Sequence, residues 1–449
     1  MKRSAEPLKF RAYVAATLEK IGQIQALDPE LRLEMKAVAS VLPFRVNQYV
    51  VDELIDWSRV PDDPIFRLTF PQPEMLEEED LESMVRLIKA GASQERLSAE
   101  AGRIRLSLNP HPSGQMELNR VSLDDGTILP GLQHKYADTC LVFPGPGQTC
   151  HAYCTYCFRW AQFIGMDELK FAQREMDGVL TYLGAHEEIS DVLLTGGDPM
   201  VMGSRLLRKY IEPLLGPGFE HIQDIRIGTK SIAYWPQRFV TDADADDLLR
   251  LFEEVRRAGK HLAIMGHISH PTEMSTGIAR EAIRRIRDAG AELRCQAPLI
   301  RHVNDDAEVW ATMWKEQVRL GAIPYYMFIE RDTGPKHYFE VSLARAYRIF
   351  RNAWKGVTGL ARTVRGPSMS ATPGKIQIDG VARIRDEQVF VCSFLRARNP
   401  DWVRRPFFAQ FDETACWLDD LRPAFGESSF FFERTVPARR NFFMRLIAP

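Results

Sequence analysis

No uninterrupted apolar stretch in these 449 residues approaches the roughly 18–20 that a membrane-spanning helix needs. Neither sign of charge is in excess. The 58 Lys and Arg against 60 Asp and Glu leave a formal net charge of −2, which gives no reason to expect nucleic acid or an anionic membrane as partner. The start, MKRSAEPLKF, has basic residues with no apolar run behind them, so no signal peptide is expected. A disulfide framework is missing too. Seven cysteines, an odd number with three clustered, suit a reducing compartment, and a cytoplasmic protein is the expectation. There is no low-complexity segment and no short-period repeat. The 45% hydrophobic content is ordinary for a globular chain, and the length suffices for one large core with appended parts.

What is present is TCHAYCTYCFRW, in which Cys150, Cys154 and Cys157 follow the spacing C-x3-C-x2-C. Three thiolates this close can hold three irons of a [4Fe–4S] cluster. Such clusters normally take four cysteines, so a set of three leaves one iron open to an exogenous ligand. Other readings stand beside this one. A zinc site wants a fourth Cys or His, and His151 lies inside the loop. A thioredoxin-like pair from Cys154 and Cys157 leaves Cys150 unexplained. The remaining cysteines, Cys140, Cys295, Cys392 and Cys416, are scattered as structural ones are.

The first ~115 residues read as helical and charged, ending near the turn NPHPSGQ. From about Asp138 short apolar runs alternate with amphipathic ones. Strands are expected at 140–144, 191–196, 224–229, 261–268, 292–300 and 323–329. Helical stretches such as GIAREAIRRIRDAG lie between them, closed by Gly as a C-terminal stop. Repeated strand–helix alternation implies a parallel sheet with right-handed crossovers. Six units are fewer than a closed barrel's eight, so the expected fold is α/β: a partial, open (β/α)6 barrel with a helical N-terminal region and a C-terminal extension. The division expected is 1–115, 116–340 and 341–449.

Parallel barrels place chemistry at strand C-terminal ends, and each strand here is followed by a polar cluster. The first leads into the cysteine loop and the second into Gly196-Gly197-Asp198-Pro199. Thr229 and Lys230 follow the third strand, and His267 and His270 the fourth. Arg301 and Asn304 follow the fifth, and Glu330, Arg331 and Asp332 the sixth.

The three-cysteine loop after a first strand, TGGDP after a second, and the six-unit pattern resemble the radical S-adenosylmethionine enzymes. Within that superfamily the chain resembles the lysine 2,3-aminomutase group from about residue 42 to about 385. The likeness is carried in order by PFRVNQYVVDELIDW, PGLQHKYADTCLVF, RIGTK…PQRF, GHISHPTEM and QAPLIRHVND. It implies a [4Fe–4S] cluster on Cys150, Cys154 and Cys157, whose open iron is chelated by S-adenosylmethionine. The stretch Gly196, Gly197, Asp198 and Pro199 would meet the methionine amino group. An external electron donor such as flavodoxin or ferredoxin would reduce the cluster, and the resulting deoxyadenosyl radical would abstract a hydrogen from an amino acid. Nitrogen would then migrate from the α- to the β-carbon, making the protein an isomerase. The same resemblance implies pyridoxal 5′-phosphate, held as a Schiff base by Lys375 in RGPSMSATPGKIQIDG and contacted by Lys135 and Tyr136. It also implies Arg159 on the substrate α-carboxylate, and a homo-oligomer.

Two departures from the group bear on this. Its glycine run before the lysine is replaced by Ser370, Ala371, Thr372, Pro373 and a single Gly374. Of its two carboxylates for a lysine side chain, one falls at Arg331 or Asp332 and the other at Arg365. A guanidinium there repels an ammonium and suits a carboxylate, so an amino acid with an acidic or neutral polar side chain is the expected substrate. The alternatives are an enzyme on this scaffold without pyridoxal phosphate, performing another rearrangement or modifying a protein lysine, and a non-catalytic iron–sulfur or zinc protein. The aromatic-rich stretch from Phe407 onward is read as a packing or oligomer-contact extension.

Overall fold

The computed structural model describes residues 9–110, 112, 118–165, 172 and 176–433. One twelve-stranded sheet runs through it in strict chain order. It begins with β3 (Arg120–Ser122) and β4 (Ile128–Tyr136), which are antiparallel. Seven parallel strands follow: β5 (Thr139–Val142), β6 (Asp191–Leu194), β7 (Asp224–Thr229), β8 (His261–His267), β9 (Glu292–Leu299), β10 (Ile323–Ile329) and β11 (Arg365–Ser370). An antiparallel flank of β12 (Gly374–Ile384), β13 (Glu387–Ala397) and β14 (Pro406–Gln410) completes it. The fold is therefore mixed α/β around a large, mostly parallel sheet. The six expected strands lie within two residues of their expected bounds. The seventh parallel strand was not expected, because RGPSMS has no alternation and Gly and Pro demote a run as a strand.

Side-chain alternation shows why the sheet encloses a site. In β7, Ile225, Ile227 and Thr229 are buried, while Asp224, Arg226 and Gly228 are half-buried on the other face. That second face turns inward. Leu141, Leu193, Gly228, Met265, Gln296, Phe328 and Ser370, one from each parallel strand, line a common cavity. The outer face is packed by helices such as Ala245–Arg257, Gly277–Asp288 and Ala307–Arg319. Each ends at a glycine with positive φ (Gly259, Gly290 and Gly321) as the sequence indicated.

The two flanks of the sheet do not pair as strands, yet side chains tie them together. Lys135 at the end of β4 donates from Nζ to the Ala371 carbonyl at 2.6 Å. Arg398, just past β13, donates to Thr372 O (2.9 Å), Leu118 O (3.0 Å) and Asn119 Oδ1 (2.6 Å). Arg396 of β13 reaches Thr139 Oγ1 at 3.1 Å and the Asp138 carboxylate.

The N-terminal region is helical where expected, in Pro29–Val41, Glu78–Lys89 and Gln94–Ser107. Side chains of Asp28 and Ser93 cap the first and third of these. It also contains an antiparallel pair that was not expected, β1 (Ala12–Val14) with β2 (Arg45–Asn47), because three residues are too few for alternation to register. In the C-terminal part Phe394, Trp402, Phe407, Phe430 and Phe432 form one buried aromatic cluster. Most of the NPHPSGQ turn and the tail beyond residue 433 lie outside the described residues. No helix among the described residues is long and apolar enough to cross a membrane.

Candidate functional site

The cysteine loop leaves the C-terminal end of β5 and is fastened from outside by the N-terminal region. Tyr153 N donates to Arg45 O (2.8 Å), Thr155 N to Leu68 O (3.0 Å), and Asn47 Nδ2 to His151 O (3.2 Å). From below it is fastened by the glycine turn after β6, where Asp198 N donates to Thr149 O at 2.7 Å and Gly147 O at 3.0 Å. Gly196 has φ of +146°, a region that favours glycine, and a Cβ there would overlap the Gln148 side chain. A Cβ on Gly197 would overlap the Thr149 carbonyl oxygen and lie 2.5 Å from the Thr149 nitrogen. Gly197 is thus required by close approach to the backbone just before Cys150, and Gly196 by its φ.

Cys150, Cys154 and Cys157 are free thiols lining one cavity with Gly196, Gly197, Asp198, Arg159 and Arg331. Burial pushes all three thiols up, Cys157 to about 12; neighbouring thiols add to it for Cys150 and Cys157, while Lys230 and Tyr234 act against it for Cys154. Tyr234 Oη lies 3.3 Å from Cys154 Sγ. Among the described residues no group of His, Cys, Asp and Glu converges on a single metal ion, as the ligands of a mononuclear zinc would. A cluster makes a different demand, since each thiolate reaches its own iron.

The Asp198 carboxylate serves the loop framework, accepting from Thr229 Oγ1 (2.7 Å), Ser231 Oγ (3.0 Å) and the main-chain nitrogens of Met200 and Lys230 (both 2.9 Å). Pro199 opens a short buried turn and does not line the cavity. The guanidinium of Arg159 lies over Phe143 (4.5 Å) and Phe158 (4.8 Å), and that of Arg331 over Phe158 (4.9 Å). Asp332 is off the cavity, where Asn109 Nδ2 donates to its carbonyl. Of the two residues between which the sequence could not choose, Arg331 is therefore the one at the cavity.

Lys375 is the second residue of β12, opposite Ser370 on one side and Arg396 on the other. Gly374 makes this possible, since a Cβ there would overlap the Arg396 carbonyl. The Lys375 ammonium lies 3.9 Å from the Tyr326 ring centroid and 4.8 Å from that of Phe328, a cavity residue. Burial, then the positive charges of Arg365, Arg226 and Arg331, bring its pKa down to about 7. Arg365 of β11 stacks on Tyr325 (4.2 Å) and Tyr326 (4.4 Å) and makes no ion pair or side-chain hydrogen bond among the described residues. Lys135 is held well below the usual lysine range by burial and by Arg398, Arg331 and Lys375. Tyr136 carries Arg396 on its ring at 4.7 Å and is not a cavity residue. Arg331 thus bears on both Lys135 and Lys375, and Arg365 on Lys375; of these four, Arg331 alone is a cavity residue.

Several contacts had no signal in the sequence. Gln296 Nε2 meets His267 Nε2 at 2.9 Å on the cavity wall. Buried Glu273 pairs with Lys230 at 2.7 Å. Arg159 and Arg331 both lie over the Phe158 ring, and the alternation rule could have flagged only Gln296. Of the other polar groups after strands, Asn304 bonds Ser269 O and Pro298 O, and Arg301 bonds Glu340 O, so both brace loops.

A relative from Aquifex aeolicus named "Putative L-lysine 2,3-aminomutase" is 32% identical over 398 residues, covering 88% of this chain and 92% of the relative. The Escherichia coli L-lysine 2,3-aminomutase is 30% identical over 258 residues, covering 56% of this chain and 70% of its own length. The chain belongs to the lysine 2,3-aminomutase group of the radical S-adenosylmethionine superfamily. No family model matches it. Among solved structures, a radical S-adenosylmethionine methyltransferase from Sphaerobacter thermophilus is similar only loosely, at 14% identity and a TM-score of 0.35 over 66% of this chain and 94% of that one.

As a member of this group the protein is a radical S-adenosylmethionine enzyme of the aminomutase type, and membership implies a [4Fe–4S] cluster and S-adenosylmethionine. The site fits a cluster. Three unpaired thiols gathered in a cavity that raises their pKa lose their protons only to a strong cationic partner, which iron supplies. The Gly197 clash yields a prediction. Gly197→Ala is expected to push the Thr149–Cys150 backbone away, lowering stability by about 1–3 kcal/mol as overpacking does, with loss of bound iron. Thermal denaturation and iron analysis would check it. Iron content and melting temperature equal to wild type would remove the close approach as a requirement.

Proposed function

We propose that this protein moves the α-amino group of an α-amino acid to the β-carbon, with pyridoxal phosphate held at Lys375 and the cluster on Cys150, Cys154 and Cys157. Lys375 carries the reading. An amine attacks a carbonyl only when neutral, and burial with the like charge of Arg365, Arg226 and Arg331 brings this one to about 7. We read the curved sheet as a partial barrel whose interior holds both chemistries, flanked by the N-terminal region up to about residue 115 and the part from about 341.

Bound cluster and S-adenosylmethionine supply a hydrogen-abstracting radical, and bound pyridoxal phosphate supplies the π-system through which nitrogen can shift. The protein's own groups bind and orient. Arg159, held over Phe143 and Phe158, is the group assigned to an α-carboxylate. Phe158, Phe328, Tyr153 and Tyr156 on the cavity wall exclude water from the reacting carbons. Burial pushes Glu330 well above the usual carboxylate range, with Arg331 acting in the opposite direction.

The side-chain end of the substrate is assigned to Arg365 and Arg331. Both bear electrostatically on Lys375, and the Arg365 guanidinium lies over Tyr325 and Tyr326 with no ion pair among the described residues. A fixed cation there favours an acidic side chain, or a neutral polar one, over lysine's ammonium. Anaerobic assay of an amino-acid panel with reductant and S-adenosylmethionine is the test. Glutamate is expected to exceed lysine in kcat/KM, and Arg365→Ala to lower glutamate turnover about 10- to 100-fold, as loss of a charge-assisted contact does. A lysine preference that survives Arg365→Ala would sink the assignment. The replaced glycine run favours one second reading, the same scaffold without pyridoxal phosphate, performing another rearrangement or modifying a protein lysine. Absence of a cofactor absorbance band in purified protein would select it.

A further inference from the structure

Tyr234 closes the short helix Ser231–Tyr234 that follows β7, and its side chain is buried, yet it is not a cavity residue. Its hydroxyl lies 3.3 Å from Sγ of Cys154, which does line the cavity. The phenol therefore reaches the sulfur from outside the space where a substrate would bind. A hydroxyl placed there acts on a reaction in the cavity only through the sulfur it touches.

The backbone around this contact is clamped. Asn47 of β2, fully buried, donates from Nδ2 to the Tyr234 carbonyl at 2.8 Å and to the His151 carbonyl in the cysteine loop at 3.2 Å. One side chain thus fixes the helix that carries the phenol to the loop that carries the thiol. At the other end of the helix, Ser231 Oγ donates to Asp198 at 3.0 Å and lies 2.8 Å from His151 Nδ1. Lys230 and Tyr156 also bear on Cys154. The Lys230 ammonium is paired with buried Glu273 at 2.7 Å, and the Tyr156 hydroxyl lies 3.3 Å from Ser269 Oγ.

Between a phenol and a free thiol either group can donate. A thiolate bound to iron has no proton to give, so the phenol is then the donor. Such a bond draws electron density from the sulfur and strengthens as negative charge is added to the cluster. We propose that Tyr234 is a positioning residue acting through Cys154: its hydroxyl donates to the Cys154 sulfur and raises the reduction potential of the cluster. The inference rests on the reading of Cys150, Cys154 and Cys157 as cluster ligands. In the step, the oxidised cluster takes one electron from an external reductant such as dithionite. The phenol keeps its proton, and no bond breaks.

Tyr234→Phe removes the hydroxyl and keeps the ring. Tyr49→Phe is the control, because the buried Tyr49 hydroxyl meets Thr276 Oγ1 at 2.7 Å in place of a cysteine. Redox titration of the cluster-loaded proteins with dithionite, read by electron paramagnetic resonance of the reduced cluster, gives the midpoint potential. Tyr234→Phe is expected to lower the equilibrium constant for reduction about tenfold, a fall of about 59 mV for one electron, with iron and sulfide content as in wild type. Tyr49→Phe is expected to keep the wild-type midpoint. An unchanged midpoint in Tyr234→Phe, or an equal shift in both variants, would overturn the role of the hydroxyl. Loss of iron from Tyr234→Phe would overturn it too, by making the contact a requirement for holding the cluster. Wild-type protein that takes up no iron and sulfide would instead overturn the cluster reading itself.

Discussion

Replacing any one of Cys150, Cys154 or Cys157 by alanine is expected to take iron content and 5′-deoxyadenosine formation to background. The three thiols are drawn into one cavity and give a cluster three anchors where four are usual. Removing one leaves two irons without a protein ligand. No spare thiol can substitute, because Cys140, Cys295 and Cys392 are buried away from the cavity and Cys416 is not among its residues. Iron and sulfide analysis of anaerobically purified variants, with product assay, would measure it. Full activity in any one variant would remove the radical reading. Zinc bound in place of iron and sulfide in the wild-type protein would favour the non-catalytic alternative.

Lys375→Ala is expected to abolish covalent capture of pyridoxal phosphate and formation of β-amino product, while iron content and S-adenosylmethionine cleavage persist. The two chemistries separate because Lys375 sits on β12 against Tyr326 and Phe328, whereas the cysteines are on the loop after β5. Borohydride reduction with peptide mapping reads the attachment directly. A label on another lysine, or on none, would show that Lys375 does not hold the cofactor. The pH dependence has a definite sign. With a pKa brought down to about 7, the amine is protonated and unreactive below that pH and neutral above it. About a tenth of the molecules carry a neutral amine at pH 6 and about nine-tenths at pH 8. The initial rate of capture should rise through this range. A midpoint near 10 would mean that burial and the neighbouring arginines do not act on this side chain.

The sequence by itself determined the elements and their order. Six parallel strands followed from apolar runs alternating with helical stretches closed by glycine, and those runs survive because each outer face is buried under a helix. The cysteine spacing and the two glycines are equally local, since a loop of eight residues and a turn of two need no distant information. Only the tertiary structure decided what stands opposite what. It placed Arg331 rather than Asp332 on the cavity, because the turn after β10 ties Asp332 to Asn109, more than two hundred positions earlier in the chain. It put Lys375 on a strand, buried it and set Arg365, Arg226 and Arg331 from three other segments around it, and the lowered pKa comes from that burial first and from those charges second. It joined the ends of the sheet through Lys135, Arg396 and Arg398, and it set β1 and β2 over the cysteine loop. Local pattern records which face of a residue is buried. It does not record which distant residue buries it, and the charges and contacts of this site arise from those distant residues.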